Sequence, residues 1–149
     1  MQIEKVYFNS IDNLNLIGLL HTPKNKTQTV VISVHGITSN CLKRRDDILA
    51  QKCTDLGLAY FCFNNRGHEI ISSYGRIEDN NMHFYGSGGE SIYDSYYDIK
   101  GAMLEMQKRG YNKIILQGHS MGCTKVVYTY NEFLNNNETT MLESIVGVI

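Results

Sequence analysis

The sequence predicts an α/β fold in which helices flank an open, mostly parallel sheet. Short apolar runs, bounded by polar residues or glycine, alternate with longer segments that repeat apolar residues at helical spacing. Two of the runs, 30–34 and 58–63, are almost continuously apolar, which is typical of strands buried on both faces. Strands that alternate with helices imply parallel pairing through right-handed crossovers.

The first part of the chain predicts a hairpin and then a helix between the two buried strands. Residues 3–8 alternate apolar and polar, and residues 14–20 form a second β-like run across a short polar turn. After the strand at 30–34, apolar residues recur near helical spacing before a glycine placed to end the helix: Leu42, Leu49, Cys53, Leu56 and Gly57.

The second part predicts two helices, each followed by a strand. Ser91 and Asp94 have the spacing of a capping box, and Gly110 closes the helix that follows. The strand at 114–116 leads into a second helix, and residues 145–149 form a last strand. The apolar faces of the two helices contain Ile92, Tyr96, Ile99, Met103 and Met106, and then Val126, Val127, Tyr130 and Phe133.

Residues 118–122, Gly-His-Ser-Met-Gly, carry the strongest functional signal. They follow the predicted strand and open the predicted helix, which is the context that a G-x-S-x-G nucleophile elbow requires. Gly118 and Gly122 remove side chains that would collide in so tight a turn. The pattern predicts that Ser120 is a nucleophile with a positive φ, and that His119 supports it.

A second motif, His35-Gly36-Ile37-Thr38, ends the strand at 30–34. Acyl transfer needs two backbone N–H groups to stabilise the oxyanion, one after the nucleophile and one on the loop after an earlier strand. Met121 and Ile37 are the candidates. His35 and Gly36 support them, because Gly36 lets the loop backbone approach the substrate. The residues expected to cap the following helix are Thr38, Ser39 or Asn40.

With both motifs in place, the chain resembles the α/β-hydrolase family. Residues 61–68 resemble the family's strand that ends in a D-x-R-G-x-G-like turn, Asp98 lies on the helix before the elbow strand, and His119 precedes the nucleophile as in many lipases and esterases. The resemblance implies an α/β-hydrolase-like fold that is incomplete at its C-terminal side. Residues 1–149 are then the N-terminal part of one domain.

The resemblance also implies that the catalytic triad is incomplete. In the family the acid and the histidine follow the nucleophile. Here every histidine comes before Ser120: His21, His35, His68, His83 and His119. We therefore expect the acid and the histidine to lie outside this chain, and this chain alone to lack activity. The last strand is expected to be covered by a missing C-terminal segment or by self-association.

The stretch 65–89 shows neither helical nor strand periodicity, and it leaves the carboxyl end of a strand, where open α/β sheets bind ligands. One interpretation is a substrate loop in which His68 and His83 contact the substrate; the other is a solvated loop with no specific role. A further alternative makes His68 or His83 the catalytic base. Other side chains that this loop offers to a substrate are Arg66, Glu69 and Tyr85.

Composition narrows the classes of partner. The net charge of −1 gives no reason to expect nucleic acid, and no apolar run is long enough to cross a membrane. Four irregularly spaced cysteines indicate free thiols in the cytoplasm rather than a disulfide framework or a metal site. No cofactor is expected, and the predicted partner is a small-molecule ester or related acyl substrate.

Two hypotheses on function remain. The first is a serine esterase or acyl hydrolase in the intact protein, with Ser120 as nucleophile. The second is a non-catalytic α/β-hydrolase-like module with a binding role, which the absence of any histidine after Ser120 favours.

Overall fold

A computed structural model of the protein describes residues 1–76, 78 and 81–149. The strands are β1 (Gln2–Asn9), β2 (Asn15–Thr22), β3 (Thr29–Val34), β4 (Ala59–Asn64), β5 (Ser72–Gly75), β6 (Met82–Tyr85), β7 (Lys113–Gly118) and β8 (Ile145–Val148). The helices are α1 (Arg44–Asp55), α2 (Ser95–Lys108), α3 (Met121–Asn135) and α4 (Thr139–Ser144). None of the helices in these described ranges is long and apolar enough to span a membrane.

The main sheet has six strands in the order β1-β2-β4-β3-β7-β8. The predicted N-terminal hairpin is confirmed: β1 and β2 pair antiparallel, and β2 pairs antiparallel with β4. From β4 to β8 the pairing is parallel throughout. The predicted mostly parallel open sheet with flanking helices is therefore correct.

Each face of the sheet is covered by helices. Successive side chains of a strand point to opposite faces, so an apolar strand presents side chains to both layers of helices. On the larger face Val30, Ile32 and Val34 pack in a core with residues of α2, α3 and α4. On the other face Val31 joins a smaller core with Ala50 of α1. Strand β3 is buried on both faces, as its apolar run predicts.

Two local predictions were wrong. The N-cap of α1 is Lys43, so Thr38, Ser39 and Asn40 do not cap that helix. Asn40 instead accepts the N–H of Leu42 through its own side chain, at 2.9 Å, in a local turn before the helix. Ser91 was predicted to cap the helix α2. It instead accepts the N–H of Tyr93 at the start of a short 3-10 turn, Ile92–Asp94, that precedes α2.

The stretch 65–89 contains a hairpin that its sequence did not predict. Strands β5 and β6 pair antiparallel over four residues each, from Ser72↔Tyr85 to Gly75↔Met82. Residues 77, 79 and 80, between these strands, lie outside the described part of the chain. This two-stranded sheet is separate from the main sheet. An isolated antiparallel bridge, Leu14↔Arg76, and side-chain contacts attach it to the rest of the fold.

An ion cluster around Arg66 attaches the start of this segment to the core. The Arg66 guanidinium, 3% exposed, donates to Asp98 Oδ1 at 2.7 Å and to Asp12 Oδ1 at 2.7 Å, and the Arg66 N–H donates to Asp98 Oδ2 at 2.9 Å. The rings of Tyr85 and Tyr97 lie 5.5 and 5.8 Å from the guanidinium carbon. One arginine thus joins the end of β4 to α2, to the β1–β2 turn and to β6.

We predict that Arg66→Met lowers the free energy of unfolding by about 3 to 5 kcal/mol, because it leaves the Asp98 carboxylate, 1% exposed, buried without its cation. The matched control is Arg109→Met, since Arg109 pairs with Glu4 and Glu105 near the surface and its loss is expected to cost about 0 to 1 kcal/mol. Urea unfolding measures both. Equal losses in the two variants would contradict the prediction.

Candidate active site

Ser120 lies at the junction of β7 and α3 with φ of 55° and ψ of −126°, so the predicted positive φ is confirmed. Such a conformation costs a non-glycine residue about 1 to 3 kcal/mol and persists only when neighbouring structure holds it. The N–H of His119 donates to Val34 O at 3.1 Å, and the N–H of Cys123 donates to Ser120 O at 2.9 Å. The side chain of Ser120 is exposed at the tip of this turn.

Three glycines let the turn pack against the end of β3. A Cβ atom on Gly122 would lie 2.1 Å from Val34 O, and one on Gly118 would lie 2.5 Å from Cys123 Cα. A Cβ on Gly36 would lie 3.0 Å from Ser120 Cβ and 3.4 Å from Met121 N. The loop after β3 and the first turn of α3 are therefore in direct backbone contact.

We predict that Gly122→Ala lowers the free energy of unfolding by more than about 2 kcal/mol, because its Cβ would overlap a backbone oxygen that has no room to move. Alanine inside an ordinary helix stabilises it by about 1 kcal/mol relative to glycine, so a loss of stability in Gly122→Ala would by itself indicate the close contact. Gly89→Ala is the control, since its Cβ meets nothing within 4 Å. Thermal unfolding compares the two; an unchanged or raised Tm for Gly122→Ala would refute the close contact.

The two candidate oxyanion donors lie on the contacting segments. Met121 is the first residue of α3, so its N–H has no acceptor within the helix. Within the described ranges, neither the Met121 N–H nor the Ile37 N–H donates to a backbone or side-chain acceptor. Both residues line one cavity of about 130 Å³, whose walls also include Ile92, Ser87, Glu90 and Lys125.

His35 connects the loop of Ile37 to the turn after β4. Its ring is buried, Nδ1 donates to Gly36 O at 2.8 Å, and Nε2 accepts the N–H of Asn65 at 3.3 Å. Because an N–H only donates, the Asn65 contact assigns the proton to Nδ1. Burial is the largest cause that lowers the pKa of His35 to about 4. The ring is therefore neutral near pH 7 and acts as both a donor and an acceptor.

We predict that His35 makes stability pH-dependent below pH 6.5. Its pKa is about 4 in the folded protein against an ordinary value of 6.5, so the unfolded chain binds the extra proton between these values. The contribution, about 3 kcal/mol, is complete above pH 6.5 and is lost as the pH falls toward 4. Urea unfolding from pH 4 to 8 should show a shallower dependence for His35→Gln than for the native protein.

The control for that measurement is His119→Gln, which replaces an exposed histidine outside this pair of hydrogen bonds. Burial also lowers the pKa of His21 and of His68, so part of the slope should persist in His35→Gln. If His35→Gln leaves the pH dependence of the free energy of unfolding unchanged, the neutral imidazole of His35 does not hold this loop.

Lys125, Glu90 and Asn65 form a buried polar group beside the cavity that sequence reasoning missed. The Lys125 ammonium, 1% exposed, pairs with the Glu90 carboxylate and donates to Asn65 Oδ1 at 3.3 Å. A Cβ on Gly67 would lie 1.9 Å from the Glu90 carboxyl carbon, so a larger residue at this position would have to displace the Glu90 carboxylate. The one signal in the sequence is that Lys125 comes four residues after Met121, on the same helical face.

The two histidines of the predicted substrate loop lie on or near the β5–β6 hairpin. His68 Nδ1 bonds the Tyr74 hydroxyl at 2.5 Å, and His83 lies on β6 opposite Tyr74. In the ranges that the structure describes, no histidine forms a hydrogen bond with the Ser120 hydroxyl. The expectation that Arg66 offers its side chain to a substrate was wrong, because the guanidinium is buried in its ion cluster. The half-buried ring of Tyr85 packs against the guanidinium.

The described residues contain no group of three or more His, Cys, Asp or Glu placed to hold a metal ion. A strained serine between a central strand and a helix, on a mostly parallel sheet with helices on both faces, is the architecture of the α/β hydrolases.

No family model and no curated protein matches the sequence, but solved structures match the fold. The esterase Pf2001 of Pyrococcus furiosus is 19% identical with a TM-score of 0.66, over 88% of this chain and 47% of that protein. Est1E of Butyrivibrio proteoclasticus, solved with ferulic acid bound, is 18% identical with a TM-score of 0.66, over 87% of this chain and 49% of that protein. The α/β hydrolase GrgF of a Penicillium species is 14% identical with a TM-score of 0.67, over 87% of this chain and 42% of that protein.

The chain thus spans slightly less than half the length of these three proteins while matching them over nearly all of its own. Its fold is an incomplete α/β-hydrolase fold, as the two sequence motifs predicted. At these identities the likeness establishes the fold, and the chemistry has to be argued from the site.

Proposed function

We propose that this chain carries the nucleophile and the oxyanion donors of a serine hydrolase that acts on small-molecule esters. The observation that carries the proposal is the positive φ of Ser120 at the strand-to-helix junction, with Gly36 packed against the serine and the Met121 N–H. The esterases among the structural neighbours favour ester hydrolysis over other acyl transfers.

In the proposed reaction the Ser120 hydroxyl attacks the ester carbonyl carbon. A histidine takes the serine proton, and the carbonyl oxygen becomes an oxyanion that accepts from the N–H groups of Ile37 and Met121. The proton then passes to the departing alkoxide as the C–O bond breaks, leaving an acyl-serine. Water attacks this ester with the same histidine as base, which releases the acid and restores the hydroxyl.

The histidine and the acid that orients it are proposed to lie outside these 149 residues. This is supported by the order of the family's triad and by the hydrogen bonds of His35 and His68, which are made to residues other than Ser120. His68 and His83 are kept as candidate substrate contacts on the hairpin beside the site. Four free cysteines support the proposed cytoplasmic setting.

The edge strand β8 is the proposed place where further chain joins the sheet. Val146 and Val148 are 54% and 47% exposed on this strand, which pairs with β7 on its inner side. An exposed apolar edge is a template for another strand. The remainder of the protein or a second copy of this chain is proposed to cover it.

We expect the 149-residue chain to hydrolyse p-nitrophenyl acetate several orders of magnitude more slowly than a complete serine hydrolase, because an oxyanion site without its base keeps only residual catalysis. Steady-state rates for the chain and for Ser120→Ala measure this. Robust turnover by a monomer, abolished by Ser120→Ala, would place the base within this chain and contradict the proposed division of the triad.

Covalent labelling tests the nucleophile itself. A fluorophosphonate is expected to modify Ser120 in the protein that contains the rest of the domain, and intact-mass and peptide analysis locate the adduct. Ser120→Ala should abolish the labelling. Ser73→Ala is the matched control, because Ser73 is an exposed serine on β5 that does not line the cavity, and it should leave the labelling unchanged. A folded protein that takes up no probe would favour the alternative, a non-catalytic module with a binding role.

A further inference from the structure

The buried lysine of α3 faces the proposed oxyanion site. Lys125 is one helical turn after Met121, and residues four apart lie on the same face of a helix. Long side chains of a helix lean toward its N-terminus, which directs the ammonium back toward Met121. Both residues line the same 130 Å³ cavity. The reaction proposed above does not use this charge.

The ion pair leaves hydrogen-bonding capacity inside the cavity. Lys125 has three N–H donors, and its acceptors among the described residues are Glu90 and Asn65. The Glu90 side chain is 9% exposed and has a second carboxylate oxygen. Asn65 Oδ1 also accepts the Gly67 N–H at 3.1 Å. Because both the Gly67 N–H and the Lys125 ammonium donate to this oxygen, the orientation of the amide is fixed and the ammonium is held in place.

The walls of the cavity divide by polarity. Ile37, Ile92 and Met121 form an apolar part beside the proposed oxyanion donors, and Ser87, Glu90 and Lys125 form a polar part. A volume of about 130 Å³ holds a short chain, on the order of four to six non-hydrogen atoms. A purely alkyl chain of that length would cover the ion pair and offer it no hydrogen bond, which is unfavourable for buried polar groups.

We propose, resting on the function proposed above, that this cavity is the acyl subsite and that the Lys125–Glu90 pair selects short acyl groups that carry a hydroxyl. A hydroxyl accepts from the Lys125 ammonium and donates to the Glu90 carboxylate at the same time. A substrate carboxylate or ammonium would add a net charge to a buried pair that is already neutral. The substrate class is therefore a neutral hydroxyacyl ester.

The test compares two ligands that differ by one hydroxyl: methyl 3-hydroxybutanoate and methyl butanoate. Each is titrated into the isotopically labelled chain while the backbone amide signals are followed by NMR. The hydroxy ester is expected to shift the signals of Ile37, Met121 and Lys125 and to bind about tenfold more tightly than methyl butanoate. Equal affinities, or shifts confined to other parts of the chain, would overturn the proposal.

Charge-balanced variants separate specificity from folding. Lys125→Met combined with Glu90→Gln removes both charges together, so neither is left buried alone, and it should abolish the tenfold preference while retaining a native NMR spectrum. Lys100→Met combined with Glu138→Gln is the matched control, because that pair, at 2.7 Å, does not line the cavity and its loss should retain the preference. A preference unchanged in the first double variant would refute the role of the pair.

Ser120→Ala distinguishes failure of this inference from failure of the proposed function. Binding of the esters does not require the serine hydroxyl, so the preference for the hydroxy ester should persist in this variant. If a fluorophosphonate labels Ser120 in the native protein but the two esters bind equally, the nucleophile is supported and the hydroxyacyl subsite is refuted. If the hydroxy ester binds more tightly but the native protein takes up no fluorophosphonate, the subsite is supported and the hydrolase is refuted.

Discussion

The close backbone contact between the end of β3 and the first turn of α3 is the constraint on which the site depends. Val34 is at its centre: its carbonyl accepts the His119 N–H and lies where a Cβ of Gly122 would be. Gly36 adds a second contact, against Ser120 and the Met121 N–H. The strained serine is held by packing of main chain against main chain, which side-chain changes on the surface do not relax.

Polar side chains extend this constraint to the hairpin. His35 bonds the Gly36 loop to Asn65 at the end of β4, and Asn65 in turn accepts from Lys125 on α3. Arg66, the next residue, joins the same turn to α2 and to the β1–β2 turn. The loop after β3, the turn after β4 and helix α3 are therefore coupled through His35, Asn65 and Lys125, whose side chains are buried. In a buried network each unmatched partner is costly, so these groups favour one arrangement of the loops.

This arrangement also explains how a chain about half as long as its structural neighbours builds a defined pocket. The proposed nucleophile, the candidate oxyanion donors and the Lys125–Glu90 pair all belong to a continuous block from β3 to α3. The groups that would move the proton are proposed to lie elsewhere. Binding of the acyl group and activation of the serine are then separable properties, carried by different parts of the proposed enzyme.

The sequence by itself determined the fold class and the place of the elbow, because both depend on local periodicity and on glycines that leave room for a tight turn. The runs at 30–34 and 58–63 and the pattern at 118–122 were sufficient for that. Tertiary structure decided the Lys125–Glu90 pair, the hydrogen bond between His35 and Asn65 and the ion pair of Arg66 with Asp98, since each joins residues at least 30 positions apart. Such pairings depend on how the whole chain packs, and a linear pattern does not encode the distance between two side chains.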